Sequence, residues 1–381
     1  MICMVCYLMP PMYGGAGAQA LRLAIELKKN KLDVSALAAH LDPRYPRNET
    51  IGGVDIHRLG TPRPKRLASF FFFLSVAWHV FQHRKEIELV HIHGAYMGII
   101  PVLFVAKRLG IPCVVKMSSM GTDDPESIGR RRYGACLLNS LGSADAVVGI
   151  SRELSAAYRR RGLPPDRLVE IPNGVDTDRF RPADEKERRR LRQKLGLSLD
   201  GPLVVFTGVV RVRKGIDTLL SAWRFVARKH PDASLVLVGP VDEMEPADRT
   251  TLLRSIEESP GTVVPGFKRE VEDYLRAADI FVLPSRVEGL ANALIEAMAC
   301  GLSSIASNIG GNADLIEDGA TGILFDASNS EELGRRICDL IDDPAERERI
   351  GIRARESMVA GFSIESTAKR YEDLYSGLIG T

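Results

Sequence analysis

The chain has 381 residues, 45% of them hydrophobic and 26% charged, with 51 Lys and Arg against 49 Asp and Glu. That is the composition of a soluble globular protein with room for one or two large cores. No apolar run reaches bilayer-spanning length, no basic segment precedes the apolar start, and the six cysteines are scattered among apolar neighbours, so a reducing, cytoplasmic setting is expected rather than a spanning, secreted or disulfide-built protein. The near-neutral total hides a split. Residues 1–180 carry 24 Lys and Arg against 16 Asp and Glu, a balance of +8, which leaves 51 − 24 = 27 against 49 − 16 = 33, or −6, for the remainder. A basic front half suits a polyanionic partner at one end of the chain.

Taken in order, apolar strand-like runs alternate with helical patterns twice over. Strands are expected at Ile2–Leu8, Asp33–Ala38, Val54–Leu59, Leu89–Ile92, Cys113–Met117, Ala146–Ile150 and Leu168–Ile171, with helices between them such as Gly17–Lys29 and Ile99–Leu109. The rear half repeats the pattern, with strands at Leu203–Thr207, Leu235–Val238, Thr262–Val264, Ile280–Leu283, Ser304–Ala306 and Gly322–Phe325. Its helices include Asp217–Lys229, Val271–Arg276 and Ala291–Ala299. Continuous apolar strands separated by helices imply parallel sheets covered on both faces. The expected fold class is α/β, with two Rossmann-like doubly wound domains, ligands lying at the carboxyl ends of their strands. The boundaries read 1–172, 173–362 and a terminal amphipathic helix within 363–381. The charged run Asp184–Arg192 reads as a solvated helix opening the second domain.

Several segments have residues suited to chemistry. Cys3 and Cys6 form a C-x2-C, but no second pair or His cluster accompanies them, so they read as structural thiols in the first strand. After that strand, Pro10–Gly17 reads PPMYGGAG, where Gly14 and Gly15 permit a tight turn and close backbone approach to an anion. Its glycine spacing superficially matches a dinucleotide fingerprint, but no ribose-binding acid follows the second strand. Leu67–Phe81 is strongly apolar and flanked by Arg63, Lys65, Arg66, Arg84 and Lys85. It reads either as a buried helix with basic ends or as an interfacial anchor for anionic lipid, and Arg130–Arg132 and Arg159–Arg161 would extend the positive face. No nucleic-acid motif accompanies this charge. His93 ends the next strand, in HIHG, and is either a cleft-facing group or a satisfied core histidine. The loop after Met117 offers Ser119 and Asp123, the latter able to take a proton from an acceptor hydroxyl.

In the rear half, Arg211, Arg213 and Lys214 follow a buried strand, where a fixed Lys and a forked Arg can neutralise a diphosphate. The richest segment is Pro284–Gly301, PSRVEGLANALIEAMACG: strand, turn, then helix, with Glu288 in the turn and Glu296 one turn into the helix on the face of Asn292. The helix N-terminus suits a diphosphate, and a carboxylate that accepts two neighbouring hydroxyls suits a ribose diol.

This segment resembles the E-x7-E signature of retaining glycosyltransferases of family 4, which have the GT-B fold. The blocks Ile150–Arg152, Ile171–Phe180, Lys214–Leu219, Val238–Gly239, Pro265–Gly266 and Gly310–Phe325 are similar to the same family, in the family's order. The resemblance implies two domains facing a cleft, the terminal helix returning to the first, and a metal-free hexosyltransferase with no resident cofactor. It implies donor contacts from Gly14, Gly15, Gly289, Leu290, Asn292, Ala293 and Glu296, and catalytic roles for Glu288 and Lys214. Two departures stand out. Val209 occupies the place of the family arginine, so Arg211 is expected to substitute, and no His follows Met117, leaving His93, Ser119 and Asp123 as candidates. A nucleotide-sugar donor, UDP-linked by family frequency, and a glycan or lipid-linked acceptor are the implied partners. A GT-B sugar-nucleotide epimerase or a non-catalytic nucleotide-binding subunit would share the architecture.

Overall fold

A computed structural model describes residues 1–12, 14–60, 65–241 and 246–380, the side chains of 65–67 and 246–248 apart. The chain forms two compact units, Met1–Gly174 with Ile364–Thr381, and Val175–Ser363.

The first unit is built on eight strands: β1 (Ile2–Cys6), β2 (Val34–His40), β3 (Asn48–Ile51), β4 (Val54–Gly60), β5 (Leu89–His93), β6 (Cys113–Met117), β7 (Ala146–Gly149) and β8 (Leu168–Glu170). Their order is β3-β4-β2-β1-β5-β6-β7-β8, parallel except for the antiparallel β3–β4 pair. β1, β5 and β6 are buried along their whole length, as expected for strands covered on both faces. β3, which the sequence reading leaves out, reads NETI and is half exposed, so it shows no apolar run. The first helix, Gly15–Lys29, buries Ala20, Leu23, Ala24 and Leu27 at helical spacing against one face of the sheet. The terminal helix, Ile364–Ile379, packs beside it and sinks Tyr371 and Tyr375 into the same core, each ring covering ~150–250 Å². Helices Lys65–Gln82 and Ile99–Leu109 pack on each other elsewhere in the unit.

The second unit has six parallel strands, β9 (Leu203–Thr207), β10 (Ser234–Val238), β11 (Thr262–Gly266), β12 (Ile280–Leu283), β13 (Ser303–Ser307) and β14 (Ile323–Phe325), ordered β11-β10-β9-β12-β13-β14. In each sheet the winding direction reverses once, between β1 and β5 and between β9 and β12. A parallel sheet opens a crevice at the carboxyl ends of the strands flanking such a switch point, which selects two places to look for ligand chemistry.

Candidate active site

At the switch point of the second unit, glycine brings two loops together. After β9 the chain turns through Val212–Lys214 and leaves by Gly215, at φ 70°. A Cβ on Gly215 would stand 1.9 Å from the carbonyl oxygen of Pro284, just past β12. Only glycine has both the left-handed backbone and the missing side chain that this approach demands. Its consequence is a contact between residues 74 apart: Lys214 Nζ lies 2.6 Å from Glu288 Oε1, with side chains 25% and 11% exposed. The two candidates singled out on separate segments therefore form one ion pair. Next to it, the Arg286 backbone N–H donates to the Arg213 carbonyl, and the Arg286 guanidinium pairs with Asp217 at 2.5 Å. Arg211 is half-buried, and its Nε makes no hydrogen bond among the described residues.

The helix after β12 runs Asn292–Ala299. Its N-cap is Ala291, which gives no side-chain cap, and its first turn holds no acid, so nothing on the helix itself neutralises the positive dipole end. Gly289 is pressed from behind by Gly311, whose Cβ would come within 2.2 Å of the Gly289 oxygen. Leu290 is buried, and Asn292, Ala293 and Glu296 are half-buried along the start of the helix. Glu296 lies one turn in, and its charge acts on Arg179, which is itself paired with Glu272 at 2.9 Å. Beneath this loop runs a buried polar chain that the sequence reading misses. Ser307 Oγ donates to the Ser285 carbonyl, and Asn312 Nδ2 donates to the Ser307 carbonyl at 3.1 Å. All three side chains are fully buried.

The first unit places its candidates as follows, and corrects the expectation for Asp123. Gly14 has an extended backbone at φ 175°, and a Cβ there would meet only ordinary contacts at 3.5 Å, so the packing of the fold does not itself require glycine there. At Gly17 it does: a Cβ would fall 1.9 Å from the Leu8 carbonyl oxygen, which sets how closely the first helix approaches the end of β1. Gly15 opens that helix, which again has no side-chain cap and no acid in its first turn. Asp123 is fully buried and accepts from Ser118 N, Ser118 Oγ, Ser119 N and, at 3.4 Å, Ala95 N. Burial raises its pKa above the usual carboxylate range even though those bonds pull it down. A carboxylate occupied by four donors ties the loop after β6 to the loop after β5 and does not stand open to an acceptor hydroxyl. Ser119 is half-buried, its Oγ turned to the Met120 carbonyl.

His93 is 2% exposed, with its ring centre 4.2 Å from that of His91 and the two planes tilted by 33°; His91 Nδ1 is 2.7 Å from the Tyr375 hydroxyl. Burial holds both imidazoles well below their ordinary pKa, with the Lys116 charge adding to this, so they are neutral near pH 7. Lys116 is a further residue that the sequence reading misses, a lone cation in the apolar strand CVVKM. It is 3% exposed, and burial lowers its pKa to about 7. Cys3 and Cys6 are buried three positions apart in one strand, on opposite faces, so they do not form one ligand pair.

Residues 187–357 match the model of glycosyl transferases group 1, and residues 14–174 match that of the glycosyl transferase 4-like domain. Among curated relatives, an alpha-maltose-1-phosphate synthase of Mycolicibacterium smegmatis is 27% identical over 96% of both chains. A D-inositol 3-phosphate glycosyltransferase 2 of Catenulispora acidiphila is 31% identical over 76% of this chain and 70% of its own. Among solved structures, Anabaena Alr3699/HepE in complex with UDP and glucose superimposes with a TM-score of 0.81 at 18% identity, covering 98% of this chain and 99% of that one.

Proposed function

This chain belongs to the glycosyltransferases of the GT4 type with the GT-B fold, and we propose that it transfers a hexose with retention from a UDP-sugar to a hydroxyl of a glycan or lipid-linked acceptor, without a metal, in cell-surface glycoconjugate synthesis. The observation that carries this reading is the Lys214–Glu288 contact at the β9/β12 switch point, beside an uncapped helix N-terminus. The second unit takes the donor and the first the acceptor. The bond from the anomeric carbon to the phosphate oxygen breaks toward Lys214, Arg211 and the amides at Asn292 and Ala293, which neutralise the charge that develops. The acceptor oxygen bonds to that carbon on the same face, and its proton passes to the departing phosphate oxygen, so no enzymic nucleophile is needed. Glu288 holds hydroxyls of the donor sugar, and Glu296 holds the ribose diol. Lys214 exchanges part of its pairing with Glu288 for the diphosphate as the donor binds.

UDP is supported by the ligand of the HepE structure, and a phosphorylated acceptor by the name of the Catenulispora acidiphila relative. The test is UDP release from UDP-sugars in EDTA, with the anomer of the transferred or hydrolysed sugar read by NMR. Release that is insensitive to EDTA, lost in Glu296→Ala and giving the α-anomer first from an α-linked donor supports the reading. Inversion, a strict metal requirement or no turnover contradicts it.

The acceptor side includes a membrane surface. Helix Lys65–Gln82 buries Phe72, Phe73, Val76 and Val80 yet leaves Phe70, Phe71, Leu74, Trp78 and Phe81 exposed, Trp78 by 60%. Its neighbour adds Phe104, 59% exposed. Arg84 covers the Phe81 ring at 5.0 Å and Arg108 the Phe104 ring at 4.9 Å, giving an aromatic face with a basic rim. Arg84 and Lys85 are exposed; Arg63 and the side chains of Lys65 and Arg66 lie outside the described residues. Among the described residues no helix is long and apolar enough to cross a membrane. The face therefore docks on the inner leaflet of the plasma membrane without spanning it. A second copy of the chain is disfavoured because the like-charged rims would meet. Of the two tryptophans, Trp223 is buried and donates to the Pro260 carbonyl, so vesicle-induced blue shifts of emission report Trp78. Binding to anionic but not zwitterionic vesicles, lost in Phe70→Ser/Phe81→Ser, which keeps the Trp78 reporter, is the expected result; equal binding to both, or none, removes the membrane from the account.

A further inference from the structure

A cavity of about 480 Å³ lies at the amino ends of β12 and β13, the other end of these strands from the candidate active site. It is lined by Asp279 and Ser303, where the two strands begin, and by the turn 300–302 that follows helix Asn292–Ala299. Helix Pro344–Gly361 lines it as well, and Gly351 lets that helix come close: a Cβ there would stand 2.2 Å from the Gly301 carbonyl oxygen. Four arginines line the cavity, and few acids are bonded to them. Arg188 shares Asp279 with Arg192, at 3.1 and 2.6 Å, and Arg276 shares Glu187 with Arg181. Arg347 and Arg355 form no ion pair among the described residues. Arg347 donates to the Leu340 carbonyl, and Arg355 donates to the carbonyls of Thr177, Phe180 and Ala299. Ser303 is 1% exposed, and its Oγ, together with Arg188 Nε and Arg276 Nε, is buried with no hydrogen-bond partner among the described residues. The other acids at the cavity, Glu348 and Glu356, are exposed on their helix and form no ion pair among the described residues.

We propose that this cavity is an effector site for a small oxyanion, a phosphate- or carboxylate-bearing metabolite held by Arg188, Arg276, Arg347 and Ser303. Buried donors with nothing to donate to are unfavourable, and an oxyanion satisfies them through charge-assisted bonds that match the guanidinium fork. A cavity of this size takes a ligand as large as a sugar phosphate. The route to the active site is short. Arg355 donates at 2.8 Å to the carbonyl of Ala299, the last residue of the helix that opens with Asn292 and Ala293, and eight helical residues span about 12 Å. A ligand that draws on Arg355 changes how that helix is held. By linkage, the oxyanion and UDP then change each other's affinity by the same factor. The coupling to UDP rests on the transferase reading; the anion site itself does not.

The test is amide hydrogen exchange of the full chain with inorganic phosphate and with citrate, at constant ionic strength in chloride, on wild type, Arg347→Gln and Ser303→Ala. Exchange slows in segments 299–303 and 344–356 of wild type. Half-protection needs at least about tenfold more anion in Arg347→Gln and a few-fold more in Ser303→Ala. The probe that acts at the lower concentration identifies the head group. Ser303→Ala removes only an unpartnered hydroxyl, so it folds at least as well as wild type and takes the place of Arg347→Gln if that variant does not fold. No protection by either anion, or the same protection in both variants, overturns the site. UDP affinity is then titrated with and without the better anion. A change of at least about threefold in wild type, removed in Arg347→Gln, is expected. An equal change in the variant means direct competition at the diphosphate site, and that result, or no change in wild type, overturns the effector role. Failure of UDP to bind at all would count against the transferase reading and leave the exchange result readable.

Discussion

The two sheets end in opposite electrostatic arrangements. At the β9/β12 ends, Lys214 and Glu288 neutralise each other in a partly open site. At the β1, β5 and β6 ends, Lys116 is almost completely buried and forms no ion pair among the described residues. A paired, half-solvated cation keeps its charge at little cost and stands ready for a ligand. An unpaired buried one pays desolvation continuously, which is why burial pulls the Lys116 amine down to about 7. The difference separates a cation held by an ion pair from a buried one that faces the Tyr371 ring.

The largest effect that sharpens the contrast is a pH ramp. The unfolded lysine titrates near 10.5 and the folded one near 7, so below pH 7 both states are protonated and the folded state bears the full desolvation cost. Between pH 7 and 10.5 the folded state sheds its proton first, so this contribution raises stability with pH, by roughly 5 kcal/mol at most. Cys6, Tyr371 and Tyr375 have raised pKa values and act in the opposite direction at alkaline pH, so the quantity to measure is wild type minus Lys116→Met. The variant is expected to unfold at higher denaturant than wild type at pH 7, with the gap closing toward pH 10. A constant gap would make Lys116 an ordinary lysine.

The paired side breaks differently. Lys214→Ala is expected to lower the rate of sugar transfer by about 10²–10³, the range for removing one charge-stabilising group, while leaving the fold intact. Loss of donor affinity alone at an unchanged rate constant would demote Lys214 to a binding contact. Gly215→Ala strains the left-handed backbone and meets the Pro284 carbonyl, so a loss of about 2–4 kcal/mol in urea unfolding is expected, with activity falling as the Lys214–Glu288 contact is displaced. The smallest effect is a pair of substitutions in the first unit: Gly17→Ala destabilises by more than about 2 kcal/mol, whereas Gly14→Ala stays within about 0.5. Equal costs would contradict the assignment of the close approach to Gly17.

Most of the fold was legible because the strands are buried on both faces and read as apolar runs; β6, β9 and β12 fall where Cys113–Met117, Leu203–Thr207 and Ile280–Leu283 place them. β3 escaped because an exposed edge strand has no such signature. In the candidate site, the meeting of Lys214 with Glu288 was foreshadowed by resemblance, but the glycine contact that enforces it depends on backbone angles that sequence does not display. Lys116 was passed over because one cation does not disturb the periodicity of a strand, and its meaning comes from neighbours on β1, β5 and the terminal helix. Asp123 shows the reverse error. An acid in a polar loop looks open to a hydroxyl until the fold closes four donors around it.

The central claim is tested most directly by calorimetric titration of the protein with UDP, GDP and ADP, with and without EDTA, on wild type and Glu296→Ala. The account predicts that UDP binds to one site at micromolar concentration, unaffected by EDTA and abolished in the variant. Binding of no nucleoside diphosphate, or binding that Glu296→Ala leaves untouched, would contradict it.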